Sequence, residues 1–218
     1  MTGPFVLAAD VETELVERRS RFLTRLHRVA SVEQAEQLIR AARSDHPDAR
    51  HHCTALVIGA TATTAEVHRS SDDGEPSGTA GMPMLQSLLH AELTDTLAVV
   101  IRYFGGVKLG AGGLLRAYTA GVEQAVAAAT LLRRTELVIA QLEVPMADVG
   151  VAENAVRVWA GAHGAQVEPT AYTTVAAQLT ALLDPSLLEE FAADVARWSS
   201  GRVSVVEAGR RTADVPMA

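Results

Sequence analysis

Cysteine occurs once in this 218-residue sequence, as Cys53. A single thiol excludes an intramolecular disulfide and an all-thiolate metal site. Lysine also occurs once, as Lys108, against 18 arginines. Aromatic residues make up 4% of the chain, which leaves little material for broad base-stacking platforms. No apolar run reaches the roughly 18 residues that would span a bilayer. Residues 1–10 lack a basic start followed by an apolar stretch, so no secretory signal is expected and the cytoplasm is the default compartment. No internal repeat or low-complexity tract is present.

What is there suits a globular protein. Hydrophobic residues are 48% and charged residues 21%, enough to bury the core of one large domain or two small ones. The formal net charge is −7, a poor basis for non-specific nucleic-acid binding. The charge is uneven. Residues 1–134 carry 14 basic and 15 acidic side chains, whereas residues 135–218 carry 5 and 11. Only the first part could hold an anion without opposing its own field.

Val11–Val16 and Phe22–Val29 mix apolar and charged residues around a turn at 18–20, as half-exposed strands do. Ser31–Ser44 reads as a helix, with Ser31 and Gln34 spaced as a capping box and Ala35, Leu38, Ile39 and Ala42 on one stripe. Pro47 sets its end. His52–Gly59 and Thr64–Arg69 read as strands joined by a small-residue loop. Residues 70–81, SSDDGEPSGTAG, have no hydrophobic period and are expected to be a loop. A helix carrying Met84, Leu85, Leu88, Leu89 and Leu93 is expected to start near Thr79. Thr96–Tyr103, TLAVVIRY, is apolar enough for a central strand covered on both faces. Residues 104–113, FGGVKLGAGG, hold five glycines and lead into a helix with Leu115, Tyr118, Val122, Ala125, Val126 and Ala129 inward.

Residues 130–135 are expected to be a linker. Beyond it come a strand at Leu137–Val144, a helix at Asp148–His163, a hairpin of Ala165–Ala171 and Thr174–Leu183, a helix at Ser186–Trp198 and a strand at Arg202–Glu207. That βαββαβ order describes a ferredoxin-like domain. From Gly209 the tail is expected to fray. The predicted class is α+β in two domains, residues 1–134 and 135–210, with a tail at 211–218.

The glycine-rich loop is the most informative stretch for chemistry. Consecutive glycines allow positive φ and close approach to a ligand, and the helix that follows offers unpaired amides at its positive end. Arg102, Lys108 and Arg116 surround the loop, a set suited to phosphate or another anion. The loop fits neither the Walker pattern nor the dinucleotide fingerprint, and the alternative is a tight turn for close helix–sheet packing. Asp72, Asp73 and Glu75 could coordinate a hard cation, but adjacent Asp residues before a Gly more often form Asx-turns. Ser77 and Thr79 are helix caps or ligand donors. His51, His52 and Cys53 cannot make a four-ligand zinc site, and His68 is isolated; Cys53 reads as a core residue, since no orienting group for a nucleophile can be named. Arg18, Arg19, Arg21, Arg25 and Arg28 form either a phosphate-binding patch or a solvated strand face balanced by Glu12, Glu14 and Glu17. The strands LVIAQLEV and TVAAQLTALL lack aromatics, which disfavours an RRM-like binding mode.

SSDDGEPSGTAGMPML, VVIRYFGGVKLGAGGLLRAY, RSRF and HPDARHHC together resemble the IMPACT/YigZ family, over about residues 10–130 and at several spaced motifs. Met82 departs from the pattern, standing where many members carry arginine. The resemblance implies an N-terminal α/β domain of the kind shared by a small-subunit ribosomal protein, elongation factor G and the GHMP kinases, then a ferredoxin-like domain similar to the last domain of elongation factor G. Eukaryotic relatives regulate translation through a further N-terminal module that this sequence lacks, so that role is not carried over. No catalytic residue is established for the family. The resemblance implies binding positions at Asp72, Asp73, Gly74, Glu75, Ser77, Gly78, Thr79, Arg102, Tyr103, Gly105, Gly106, Lys108, Gly110, Gly112, Gly113 and Arg116.

The resulting expectation is a non-enzymatic, translation-associated binding protein that takes RNA, the ribosome or another anionic partner between the two loops. It needs no metal, cofactor or membrane. The competing readings are a phosphate-ligand site or small-molecule enzyme using the same groove, and an interaction module whose acidic second domain docks a basic protein.

Overall fold

The structure is a computed structural model that describes residues 4–59 and 66–216. The small-residue loop expected before Thr64, and Thr64 itself, lie outside the described residues. The chain divides into two units. One runs to Arg134 and takes in the stretch from Asp214; the other is Thr135–Ala213.

In the first unit the elements are β1 (Phe5–Leu7), β2 (Val11–Glu17), β3 (Ser20–Arg28), α1 (Val32–Asp45), β4 (His51–Ile58), β5 (Val67–Ser71), α2 (Gly81–His90), β6 (Thr96–Tyr103), α3 (Ala111–Ala128) and the start of β7 (Leu131–Pro145). Five strands form an antiparallel sheet in the order β2-β3-β6-β4-β5. β6 lies at its centre, as its unbroken apolar run requires. Its side chains alternate between two cores. Leu97, Val99 and Ile101 pack with Ala35 and Ala42 of α1. Ala98 and Val100 pack on the other face with Met84 and Leu88 of α2 and Tyr118 and Val122 of α3. Each large side chain buried this way is worth about 1.5–3 kcal/mol. Ser31 caps α1 by accepting from the Gln34 amide, and the Gln34 side chain accepts from the Ala30 amide.

Several boundaries differ from the sequence expectation, each for a local reason. Ser70 and Ser71 belong to β5, because Ser71 and Ser70 pair with Thr54 and Ala55 of β4. α2 starts at Gly81 rather than near Thr79, and Leu93 is buried beyond its end. α3 starts at Ala111, so Gly112 and Gly113 lie in its first turn instead of the loop. Residues 131–135 are strand rather than linker: β1, unforeseen, pairs with them, with Phe5 opposite Arg133 and its ring 4.9 Å from the guanidinium.

The second unit contains the rest of β7, then α4 (Val149–His163), β8 (Gln166–Val167), β9 (Ala171–Tyr172), β10 (Ala176–Leu183), α5 (Leu188–Ser199) and β11 (Val205–Pro216). β10 pairs antiparallel with β7, the short β8 and β9 flank β10, and β11 pairs with β7. That is the strand order of a split βαβ, ferredoxin-like fold. Its core holds Leu142, Val144, Val156, Trp159, Leu179, Leu183, Phe191 and Val195. The expected hairpin shrinks to two-residue strands on one side. The tail expected to fray from Gly209, and set apart at 211–218, is instead part of β11 as far as Pro216. Among the described residues no helix is long and apolar enough to cross a membrane.

Candidate functional site

The acidic loop points inward, and its carboxylates serve the fold. Asp72 accepts from the backbone amides of Gly78, Ala80 and Gly81, at 2.8, 3.0 and 2.8 Å. It therefore caps α2 from outside, since Ala80 at the N-cap position has no side chain for the task. Burial pushes the Asp72 carboxyl up, but the three amides together outweigh it and hold it below the usual carboxylate range. Asp73 accepts from the His52 amide at 2.7 Å and pairs with Arg43 at 2.5 Å. Ser77 is exposed, and the Thr79 hydroxyl donates to the Pro76 carbonyl at 2.6 Å. Neither caps α2.

Glu75 is buried. It accepts from Arg102 Nη1 at 2.6 Å and from the Tyr118 hydroxyl at 2.9 Å. Arg102 is 6% exposed and lies between the rings of Phe22 and Phe104, with its guanidinium carbon 5.4 and 5.7 Å from their centroids. The cation expected to meet a ligand is thus neutralised from within, although its Nε has no partner. Cys53 lies 3.3 Å from the Tyr118 hydroxyl and 3.0 Å from the Asp72 carbonyl. Burial pushes its thiol up to about 12 and also raises the Tyr118 phenol, so neither is a poised nucleophile. His52 is buried beside Asp73, and desolvation lowers it. Among the described residues no three His, Cys, Asp or Glu side chains converge as metal ligands would.

The two loops meet at one cavity of about 370 Å³, lined by Glu75, Pro76 and Arg102 together with Phe104, Lys108, Leu109, Gly110 and Ala111, and by Arg50, His51 and Leu114. Lys108 and Arg50 are exposed, and neither has a carboxylate partner among the described residues. Phe104 is 48% exposed. Gly110, at φ +72°, turns the chain into α3 and provides no side-chain cap, so among the described residues the first amides of this 18-residue helix are uncapped by any side chain at the cavity edge.

Other predicted residues fall elsewhere. Tyr103 points to the opposite sheet face, where its hydroxyl meets His46 Nδ1 at 2.7 Å. Arg116 and Gly113 line a separate cavity of about 240 Å³ with Glu17 and Arg18. Gly105 is a packing glycine, since a Cβ there would stand 2.0 Å from the Arg19 carbonyl group. Gly106, at φ +84°, has open space around it. Met82 is exposed and outside the cavity. In the arginine-rich hairpin, Arg21 pairs with Glu14 at 2.8 Å and Arg25 with Glu12 at 2.7 Å, the balanced strand face. Arg50, His51 and Phe104 were not among the expected site residues. Their only signal was adjacency, in HPDARHHC and beside the glycines.

The model of the Impact N-terminal domain matches residues 18–126, half of the chain. The chain belongs to the IMPACT family. Among IMPACT relatives, YigZ of Escherichia coli strain K12 is 44% identical over 137 residues, 63% of this chain and 67% of that protein. YvyE of Bacillus subtilis strain 168 is 42% identical over 153 residues, 70% of this chain and 69% of that one. A crystal structure of a hypothetical protein matches 96% of this IMPACT chain and 98% of its own, at 35% identity and a TM-score of 0.58. The cavity's residues from Arg50 to Leu114 all fall within the matched IMPACT segment.

Proposed function

We propose that this cavity binds the backbone of an anionic polymer, RNA on or near the ribosome, and that the protein acts in the regulation of translation without catalysing a reaction. The observation that carries this reading is the coincidence of Lys108 and Arg50, both exposed and without a carboxylate partner among the described residues, with the uncapped start of α3 at one cavity mouth. Two exposed cations and a helix N-terminus favour phosphate. Phe104 adds a face on which a base can stack. The second unit is the more acidic and repels the same ligand.

Fluorescence anisotropy with a labelled single-stranded oligonucleotide tests the reading. Lys108→Ala should weaken binding at low salt and reduce the slope of log affinity against log salt by about one phosphate contact. Absence of wild-type binding at low salt, or equal binding by the variant, overturns it. The cavity volume favours a second reading, a small phosphate-bearing ligand, because about 370 Å³ lies in the range of small-molecule sites. Thermal-shift measurements with nucleotides and magnesium separate the two; no shift with any nucleotide removes the second.

A further inference from the structure

We propose that His51 makes this cavity selective for RNA over DNA, with its Nε2 accepting a hydrogen bond from a ribose 2′-hydroxyl. The inference rests on the reading of the cavity as a nucleic-acid backbone site and adds the sugar that site prefers.

The argument begins with the ring's other nitrogen. His51 Nδ1 lies 2.9 Å from the Asp73 carbonyl oxygen. A carbonyl can only accept, so Nδ1 carries a proton, and the tautomer this selects has its lone pair on Nε2. The orienting carbonyl is itself held. The Asp73 side chain accepts from the His52 amide and from Arg43, and the Asp73 amide donates to the Ser71 hydroxyl at 3.3 Å. Gly74 follows at φ +84°, with the position of a Cβ there 3.6 Å from His51 Nδ1, so the turn closes over the ring. Among the described residues nothing hydrogen-bonds to Nε2, and His51 is partly exposed on the cavity wall.

That acceptor stands in a ring of donors. Arg50, Lys108 and the first amides of α3 can all donate, and Glu75 Oε1 already accepts from both Arg102 and Tyr118. Phosphate and deoxyribose bring only acceptors to such a mouth. The 2′-hydroxyl is the one donor on a nucleic-acid backbone, and it is the group that distinguishes RNA from DNA. A DNA strand would leave the Nε2 lone pair unmatched.

The test compares oligouridylate with oligodeoxyuridylate and with 2′-O-methyl oligouridylate, matched in length and label, by anisotropy at pH 8 and low salt. Wild-type protein should bind the ribose strand about two- to tenfold more tightly than either other strand, the range of one net hydrogen bond. His51→Ala should bring the ratio near one, and His51→Gln, which retains an acceptor, should restore part of it. Equal binding of the three strands by wild-type protein overturns the inference and leaves the backbone reading standing. So does a ratio unchanged in His51→Ala. Failure of every strand to bind removes the backbone reading and the sugar preference together.

Discussion

Arg102 Nη1 lies 2.6 Å from Glu75 Oε1, with both side chains under one-tenth exposed, between the sheet and α3. The pair joins the DDGEPSGTAG segment to the central strand, and Tyr118 adds the third member. It braces the cavity wall. Glu75→Ala would strand a buried guanidinium without its counter-charge, and such changes cost about 3–5 kcal/mol. Urea denaturation should show that loss. A Glu75→Leu, Arg102→Met double variant should recover most of it, because an apolar pair of similar volume carries no desolvation penalty. A loss below about 1 kcal/mol in the single variant would mean that the pair behaves as a surface ion pair.

Asp72 should impose an acid limit on the first unit. Its folded carboxyl is depressed, with burial opposed and outweighed by the amides of Gly78, Gly81 and Ala80. The stability it contributes is therefore fully present above the unfolded value of about 3.9 and is lost as pH falls through the lower folded value. Asp72→Ala should cost about 1–2 kcal/mol near neutrality, the range of a lost helix cap. The gap between variant and wild type should close on acidification. A gap that stays constant from pH 7 to pH 3 would sink the assignment.

Periodicity made the two-domain α+β plan legible, most plainly in the unbroken run of β6 and in the βαββαβ order after residue 135. The α1 cap was equally local, since Ser31 and Gln34 are three residues apart. What stayed hidden was long-range. Asp72 caps a helix that starts nine residues later, while the nearer Ser77 and Thr79 offered the same chemistry by spacing alone. Arg102 looked like a ligand cation because no pattern announces that Glu75 and Tyr118 converge on it. Tyr103 was grouped with Arg102, although adjacent residues of a strand face opposite ways. β1 was missed because three residues are too few to show a period. Its pairing with β7 also explains why Arg133 and Arg134 sit in a strand.

The two units carry separate built-in reporters. Cys53 lies in the first unit, buried and pushed up to about 12. Both tryptophans of the chain, Trp159 and Trp198, lie in the second, at a cavity of about 480 Å³ between α4 and α5. Native protein should react with a disulfide reagent at pH 8 only as fast as the first unit opens. Indole fluorescence should follow the second unit alone. A denaturant series read both ways should give separate midpoints if the units unfold independently. Rapid labelling of Cys53 in native protein, at the rate of an exposed thiol, would contradict the burial.

Asp214 begins the stretch at the end of the last strand that belongs to the first unit. It pairs with Arg28 and accepts from Arg134 Nε at 2.9 Å, while Arg134 also pairs with Asp95. Burial raises the Asp214 carboxyl, but Arg134 and Arg28 outweigh it and leave it depressed; hydrogen bonding to Asp214 is the largest influence raising Arg134. Hydrogen bonds between charged groups in such settings contribute about 1.5–3 kcal/mol. Asp214→Asn should therefore weaken the attachment of residues 209–216 without touching either hydrophobic core. Limited proteolysis at neutral pH should cut the variant first at Arg210 or Arg211, with the remaining fragment still folded by circular dichroism. Wild-type protein should resist under the same conditions, and the difference should shrink at high salt, as screening weakens the partly exposed Arg28 contact first. Equal cleavage rates for variant and wild type would show that strand pairing with β7 holds the segment unaided.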